Sequence, residues 1–117
     1  MKKIEVFVAP EKVHDICEAL HDMGIYGIVL NESRFIDNAI EDDLKKLENE
    51  IVIPPKISLV LTIPRSLVEP VVGTAIFAAR TGIQSDGKIT VSSVEKVIDV
   101  DDEEIDESML HWLQLAK

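Results

Sequence analysis

Two stretches of the chain alternate apolar and polar residues, which is the pattern of β-strands that bury one face. The first covers residues 3–9 and ends at Pro10, and the second covers residues 56–63 and ends at Pro64. After each strand, apolar residues recur at the spacing of an amphipathic helix. They are Val13, Ile16, Cys17, Leu20 and Met23 in the first helix, and Val68, Val71, Val72, Ala75, Ile76 and Ala79 in the second.

Local signals then set the ends of these helices. Gly24 is placed to cap the first helix, and Thr81–Gly82 follows the last apolar position of the second. Ser66 and Glu69 have the spacing of a capping box at the start of the second helix. A further strand is predicted after each helix, at residues 27–30 and 88–94.

The order of these elements predicts an α+β domain of the ferredoxin-like β-α-β-β-α-β type. In that fold, two helices cover one face of a four-stranded antiparallel sheet. The length of 117 residues fits one such domain, spanning residues 1–117.

A long connection at residues 35–55 joins the two halves. Its apolar residues recur at helical spacing, so we expect it to be part-helical; they are Ile36, Ile40, Leu44, Leu47 and Ile51. Packing of this stripe on its own domain or on a neighbouring subunit is the favoured interpretation, and docking on a partner protein is the alternative.

The C-terminal region is predicted to contain a short strand at residues 97–100 and a helix at residues 103–117, which Asp101 would cap. The extension outside the repeated unit starts at about residue 101. Its apolar side chains Met109, Trp112 and Leu113 would seal a sheet edge or, alternatively, anchor a partner.

Charge and composition exclude several functions. The formal net charge of −10 disfavours nucleic acid as a partner, because phosphate binding needs clustered cations. Most of the acidity lies in residues 37–50 and 99–107, which we interpret as solvated faces. No apolar run reaches the ~20 residues needed to insert into a membrane. The single cysteine, Cys17, cannot form an internal disulfide and suits a cytoplasmic protein.

Several segments of the chain resemble the PII signal-transduction family. They are MKKIEVFVAPEKV, EALHDMGIYGIVLNE, PPKISLVLTIPRSLVEPVV and AARTGIQSDGKITVSSVEKVI. The resemblance implies a homotrimer that binds an adenine nucleotide (AMP, ADP or ATP) in clefts between its subunits. It also implies that residues 35–55 form the loop that contacts a regulated transporter or enzyme. If the apolar stripe of this loop docks on that partner, its candidate contacts are Ile36, Ile40, Leu44 and Leu47.

The most specific motif is Thr81-Gly82-x-x-x-Asp86-Gly87-Lys88, between the second helix and the strand that follows it. A glycine-flanked turn exposes backbone N–H groups, and the lysine adds positive charge, so phosphate oxygens fit there. The resemblance assigns nucleotide binding to these five residues. It also places the base against the strand containing Val60 and Thr62.

The chain departs from the family at several of its functional positions. The stretch that begins the long loop contains no glycine and has Ala39 where the family has a glutamine, which disfavours sensing of 2-oxoglutarate. Ile83 and Ser85 replace a lysine and a glycine of the phosphate turn. The only tyrosine, Tyr26, precedes the second strand, so the long loop lacks the tyrosine that uridylylation modifies.

Two acids, Asp99 and Asp101, stand where the family has arginines that bind phosphate. Two like charges ~5 Å apart repel by about 3 kcal/mol at an effective dielectric constant of ~20. We therefore expect weakened ATP binding, which leaves AMP, ADP, another small effector or no nucleotide.

Two other classes of function stay open on these residues. A trimeric scaffold that has lost its nucleotide is the first alternative. A metal-binding trimer is the second and more distant one, because His14, Glu18 and His21 share one side of the first helix. Surface histidines on an amphipathic helix are the favoured interpretation of that cluster. No catalytic arrangement of residues is found, so we do not expect an enzyme.

Overall fold

The computed structural model describes residues 1–36, 45, 53–80, 87–100 and 103–105. Its strands are β1 (Lys2–Val8), β2 (Val29–Arg34), β3 (Pro55–Ile63), β4 (Gly87–Ser93), β5 (Val97–Asp99) and β6 (Glu103–Ile105). Its α-helices are α1 (Val13–Asp22) and α2 (Val68–Ala79), each preceded by a 3-10 turn, at Pro10–Lys12 and Arg65–Leu67.

Strands β1 to β4 form an antiparallel sheet in the order β2-β3-β1-β4. Ile4 in β1 lies opposite Leu61 in β3 and Val91 in β4, which fixes the register of the two inner ladders. The two later strands, β5 and β6, pair with each other in a separate hairpin. The predicted ferredoxin-like α+β fold is confirmed.

The core lies between one face of this sheet and the two helices. Alternation places the apolar residues of β1 and β3 on the same face, because side chains directly opposite each other in a ladder share a face. The buried residues are Ile4, Val6, Val8, Leu59, Leu61 and Ile63 from the strands, Ile16, Leu20, Val71, Ala75 and Ala79 from the helices, and Ile25. Both halves of the chain therefore contribute to one core.

Gly24 ends α1 as the sequence predicts. Its φ of +86° is a left-handed conformation that a side chain disfavours. The N–H groups of Gly24 and Ile25 donate hydrogen bonds to the carbonyls of His21 and Leu20, at 2.9 and 3.0 Å. These bonds satisfy carbonyls in the last turn of the helix and direct Ile25 into the core.

The predicted capping box at Ser66 and Glu69 is wrong. Leu67 precedes α2, and no side chain donates or accepts a capping hydrogen bond there. Because Pro64 leads directly into a 3-10 turn, the N–H groups of Leu67 and Val68 bond to the carbonyls of Pro64 and Arg65. Backbone carbonyls therefore accept hydrogen bonds from N–H groups at the start of the helix, a role that the capping box was expected to fill.

The second strand also differs in extent from its prediction. It covers Val29–Arg34 rather than residues 27–30, because its ladder to β3 continues as far as the pair Arg34–Pro55. The first helix starts at Val13, the first of its predicted apolar positions, and follows the 3-10 turn at Pro10–Lys12.

The C-terminal prediction is correct for the strand and wrong for the start of the helix. Val97–Asp99 form β5, but Glu103–Ile105 are extended and pair with it. The ladder gives these residues backbone hydrogen bonds to another strand, which the local sequence pattern does not reveal. Asp101 and residues 106–117, including Met109, Trp112 and Leu113, lie outside the described residues.

Candidate functional site

The start of β4 is the described part of the predicted phosphate turn. Gly87 and Lys88 are exposed and open the strand, which lies at the edge of the sheet. Thr81, Gly82 and Asp86 lie outside the described residues, as do Ile83 and Ser85. The structure therefore shows the lysine of the motif and the glycine before it.

Close packing explains the glycine at position 87. A Cβ atom there would lie 2.3 Å from the carbonyl oxygen of Phe7 and 3.0 Å from a methyl group of Val8. The residue also has a φ of +150°, which side chains rarely adopt. Any other residue would push β4 away from β1, so Gly87 fixes where Lys88 stands.

A cation that the motif did not include borders the same cavity as Lys88. Arg80, at the C-terminal end of α2, borders the same cavity of about 390 Å³ as Gly87 and Lys88. The other lining residues are apolar: Val6, Val8, Val72, Ile76, Ala79, Ile89 and Val91. Our sequence reasoning missed Arg80, although its position directly before Thr81 was a usable signal.

Val60 and Thr62 lie at a distance from Lys88 within one chain. Val60 is opposite Glu5, Thr62 is opposite Lys3, and Lys88 is opposite Phe7 on the other side of β1. All three therefore share the sheet face away from the helices. From strand and residue spacing, the Cα atom of Lys88 lies roughly 12 Å from that of Val60 and roughly 17 Å from that of Thr62. A single chain does not bring the three together.

A polar cluster occupies that same face, and the sequence analysis did not single it out. Ser58 is 2% exposed and donates a hydrogen bond of 3.2 Å from Oγ to Oε2 of Glu5. Lys3 Nζ lies 4.0 Å from the other oxygen of that carboxylate. The signal was the alternation itself, since it assigns Lys3, Glu5 and Ser58 to the face opposite the core.

The acids that replace the expected arginines belong to the C-terminal hairpin. Asp99 ends β5 and pairs in register with Glu103 of β6, so two acidic residues occupy one position of the ladder. Asp101 lies outside the described residues. The described acid, Asp99, therefore stands where the family resemblance would place a phosphate-binding cation.

Comparison with known proteins gives a consistent result. The sequence model of the family described as Nitrogen regulatory protein P-II matches residues 1–104. The chain is 35% identical over 100 residues to the nitrogen regulatory protein P-II of Azospirillum brasilense, covering 84% of this chain and 89% of the relative. It is 31% identical over 112 residues to nitrogen regulatory protein P-II 1 of Escherichia coli K12, covering 94% of this chain and all of the relative.

The fold agrees with a solved member of the same group. A crystal structure of Arabidopsis thaliana PII bound to citrate superimposes with a TM-score of 0.75 and 30% sequence identity. The superposition covers 92% of this chain and 90% of that one. The chain belongs to the P-II family. Proteins of this family are signalling proteins of nitrogen regulation that act on other proteins rather than as enzymes.

The histidines of this P-II protein lie on the exposed face of α1. Nε2 of His14 lies 3.2 Å from a carboxylate oxygen of Glu18, and Nδ1 of His21 lies 3.7 Å from one of Asp22. The ring of His21 also contacts that of Tyr26, with centroids 5.0 Å apart. Across the described ranges, no group of three or more potential metal ligands is found, so the geometry offers the metal hypothesis no support.

Cys17 lies on α1 and is partly buried at the edge of the core. Burial raises the pKa of its thiol, because desolvation disfavours the thiolate. This shift disfavours the thiolate, which is the form of cysteine that acts as a nucleophile or a metal ligand.

Only parts of the long connection are among the described residues. Ile36 is partly exposed just after β2, and the backbone at Lys45 is helical. The other predicted contact residues, Ile40, Leu44 and Leu47, lie outside the described residues. Among all the described residues of this P-II protein, no helix is both long enough and apolar enough to cross a membrane.

Proposed function

We propose that this P-II protein is a homotrimer that senses an adenine nucleotide in clefts between its subunits. Through residues 35–55 it would pass the state of that site to a transporter or enzyme. The observation that carries the proposal is that two exposed cations, Lys88 at the start of β4 and Arg80 at the end of α2, border one cavity. Lys88 follows a glycine held by close packing, and Arg80 borders the same cavity.

The charge and shape of this region suit a phosphate group. Lysine and arginine both donate charge-assisted hydrogen bonds to phosphate oxygens. Because Gly87 cannot move away from Phe7 without disrupting the β1–β4 ladder, Lys88 would be held in place before the ligand arrives. Such preorganisation lowers the entropy that binding must overcome.

A second subunit would enclose a site that one chain leaves open. Within one chain, Val60 and Thr62, which would contact the base, lie on the same sheet face as Lys88, at Cα separations of roughly 12 and 17 Å. A neighbouring copy that brings its own β3 towards β4 would close the site. Exposed apolar residues at the opposite edge of the sheet, Val29, Leu30 and Phe35, are consistent with burial between copies.

The acidic hairpin favours ligands with fewer phosphates. Asp99 and Glu103 stand at one ladder position, and each additional phosphate brings further negative charge towards them. ADP or AMP is therefore the proposed effector, with ATP bound more weakly unless Mg²⁺ bridges carboxylate and phosphate. The same acids favour the second candidate function, a trimeric scaffold that no longer binds nucleotide.

Calorimetric titration of ADP tests the proposed site directly. Lys88→Ala should weaken ADP binding at least tenfold, because it removes a hydrogen bond from a charged donor, worth roughly 1.5–3 kcal/mol. Lys12→Ala, in the 3-10 turn before α1, removes the same charge elsewhere and should leave affinity unchanged. Equal affinity of wild type and Lys88→Ala would contradict the assignment.

A thermal-shift panel separates the candidate functions. AMP, ADP, ATP with and without Mg²⁺, bicarbonate and divalent metals are added to the wild-type protein, since any ligand of the folded state raises its melting temperature. Stabilisation by a nucleotide supports the sensor. Stabilisation by metals alone indicates the metal-binding alternative, and no stabilisation indicates the scaffold. Sedimentation velocity tests the trimer independently, and a monomer would contradict all three.

A further inference from the structure

An elongated groove runs between α2 and the edge strand β4. It consists of two adjoining cavities, of about 390 and 720 Å³, which share Val91. We call it the α2–β4 groove and define it by its apolar side chains Val72, Ile76, Ile89 and Val91. Ile76 is 39% exposed and Val91 is 46% exposed, so apolar surface faces solvent along the middle of the groove.

Charged residues lie at both ends of this apolar stretch. Lys2 and Arg65 border the larger cavity together with a single acid, Glu69. Arg80 and Lys88 border the smaller one. The described part of the groove is therefore positively charged, in a protein whose net charge is −10. An occupant that fits it has an apolar body and an acidic end.

We propose that residues 106–117 of the same chain fill the middle of the α2–β4 groove. This segment starts with two acids, Asp106 and Glu107. Five large apolar residues follow within nine positions: Met109, Leu110, Trp112, Leu113 and Leu115. Side chains of this kind gain free energy by leaving water, and the groove is an exposed apolar surface of the same domain that could cover them.

The chain direction brings this segment to the correct end of the groove. The N–H of Val94 donates a hydrogen bond to the carbonyl of Met1, beside Lys2. Val97 follows three residues later, and Ile105 is its partner in the β5–β6 hairpin. Residue spacings therefore place Ile105 within roughly 16 Å of Val94. A segment that continues from Ile105 can therefore bring the acids at 106 and 107 towards Lys2 and Arg65.

The length of residues 106–117 also matches the length of the α2–β4 groove. β4, which forms one wall, spans seven residues, or roughly 20 Å. Twelve residues cover roughly 18 Å as a helix and up to roughly 40 Å when extended. The segment can therefore follow the apolar wall and still leave Arg80 and Lys88 at the far end. The inference does not depend on the nucleotide proposal, since it uses only the opposite end and the middle of the groove.

Trp112 is the only tryptophan of the chain, so its fluorescence reports on this segment alone. In wild type, its emission should be that of an indole shielded from water. Ile76→Glu places a carboxylate in the groove and should shift the emission to longer wavelength and increase quenching by acrylamide. Met23→Glu is the matched control, because Met23 is 37% exposed and lies at the end of α1. It should leave the emission unchanged.

A wild-type emission already typical of water-exposed tryptophan would overturn the proposal, as would an equal response to both variants. Val91→Glu provides the same test from the strand side if Ile76→Glu fails to fold. A double-mutant cycle gives a second readout in the full chain. Ile76→Ala should change the unfolding equilibrium constant roughly tenfold more in wild type than in a Leu113→Ala background, because contacting residues are coupled. Additive effects would contradict the contact.

Mixed oligomers test whether residues 106–117 dock in the groove of their own chain or in the groove of a neighbouring copy. Full chains carrying Ile76→Glu are refolded with full chains carrying Trp112→Phe and Leu113→Glu, which have an intact groove and no tryptophan. Docking within one chain predicts that Trp112 stays exposed in the mixture. Recovery of the shielded emission would show that the segment enters the groove of another copy and would overturn the proposal.

Discussion

The two β-α-β halves of the domain contribute similarly to the core but differ at the surface. In the first half, the outer side of α1 carries charged or titratable residues, among them His14, Glu18 and His21. In the second half, the outer side of α2 includes Gly73, Ile76 and Phe77, and Phe77 is 85% exposed. The exposed surface of α1 is therefore mostly polar, whereas that of α2 includes large apolar side chains.

The two halves also differ at the glycine that lies between each helix and the strand that follows it. Gly24 and the residues after it close the first half with a simple helix cap. Gly87 closes the second half by packing against the backbone of β1 and leads directly to Lys88. The first half therefore works mainly as scaffold, and candidate binding features concentrate in the second half. Four experiments test this difference between the two halves.

The largest effect is expected from truncation in the shared core. Leu20→Ala in α1 should lower the free energy of unfolding by about 3 kcal/mol, because Leu20 is fully buried and the deletion leaves a cavity. Val71→Ala in α2 removes less volume and should cost about 2 kcal/mol. Urea denaturation measures both. If one half tolerated its truncation without loss, the halves would not share a single core.

The second largest effect is expected at the start of β4. Gly87→Ala should lower the free energy of unfolding by about 2 kcal/mol, because its Cβ atom would overlap the Phe7 carbonyl. Gly24→Ala, in the first half, meets no atom within 4 Å and should cost about 1 kcal/mol through its positive φ alone. A wild-type stability for Gly87→Ala would show that the β1–β4 pairing at this position is wrong.

A third experiment exploits the glycine within α2. A Cβ atom at Gly73 meets nothing within 4 Å, so Gly73→Ala should raise the free energy of unfolding by about 0.5–1 kcal/mol through helix propensity. The gain should appear in the melting temperature of the isolated protein. A loss of stability would instead reveal that another chain packs closely against this face.

The smallest effect is expected from the Cys17 thiol. Its pKa is raised by burial, so on raising the pH the thiol of the unfolded chain ionises first, near its ordinary pKa of about 8.5. The contribution of the thiol to stability is therefore complete below that pH and declines above it. Urea denaturation of wild type and Cys17→Ala between about pH 7 and pH 10 measures the difference between their free energies of unfolding. This difference should change with pH only in the alkaline range. A difference in unfolding free energy that stays constant over this pH range would contradict the raised pKa of Cys17.

Most elements of the fold followed from local pattern. Alternation predicted β1 and β3, helical spacing predicted α1 and α2, and Gly24 marked a helix end. The errors have one origin. Ser66 and Glu69 have the spacing of a capping box, and Glu103 begins a run that looks helical, but the 3-10 turn and the pairing with β5 provided backbone hydrogen bonds that local sequence does not show.

For the candidate site, the sequence identified Gly87 and Lys88 but not what surrounds them. The reason for a glycine at position 87 is a carbonyl that belongs to Phe7, eighty positions earlier in the chain. Arg80 becomes a neighbour of Lys88 only because α2 packs beside β4. The separation of Val60 and Thr62 from Lys88 likewise depends on β1 lying between β3 and β4.

Most of the core residues, the positions of most elements and the family of the chain can be predicted from sequence alone. These properties depend on periodicity and on residue types, which are local and additive along the chain. The strand order, the close contact at Gly87 and the groove between α2 and β4 are visible only in the folded domain. Each of them depends on which distant segments meet, and packing of the whole core selects that arrangement.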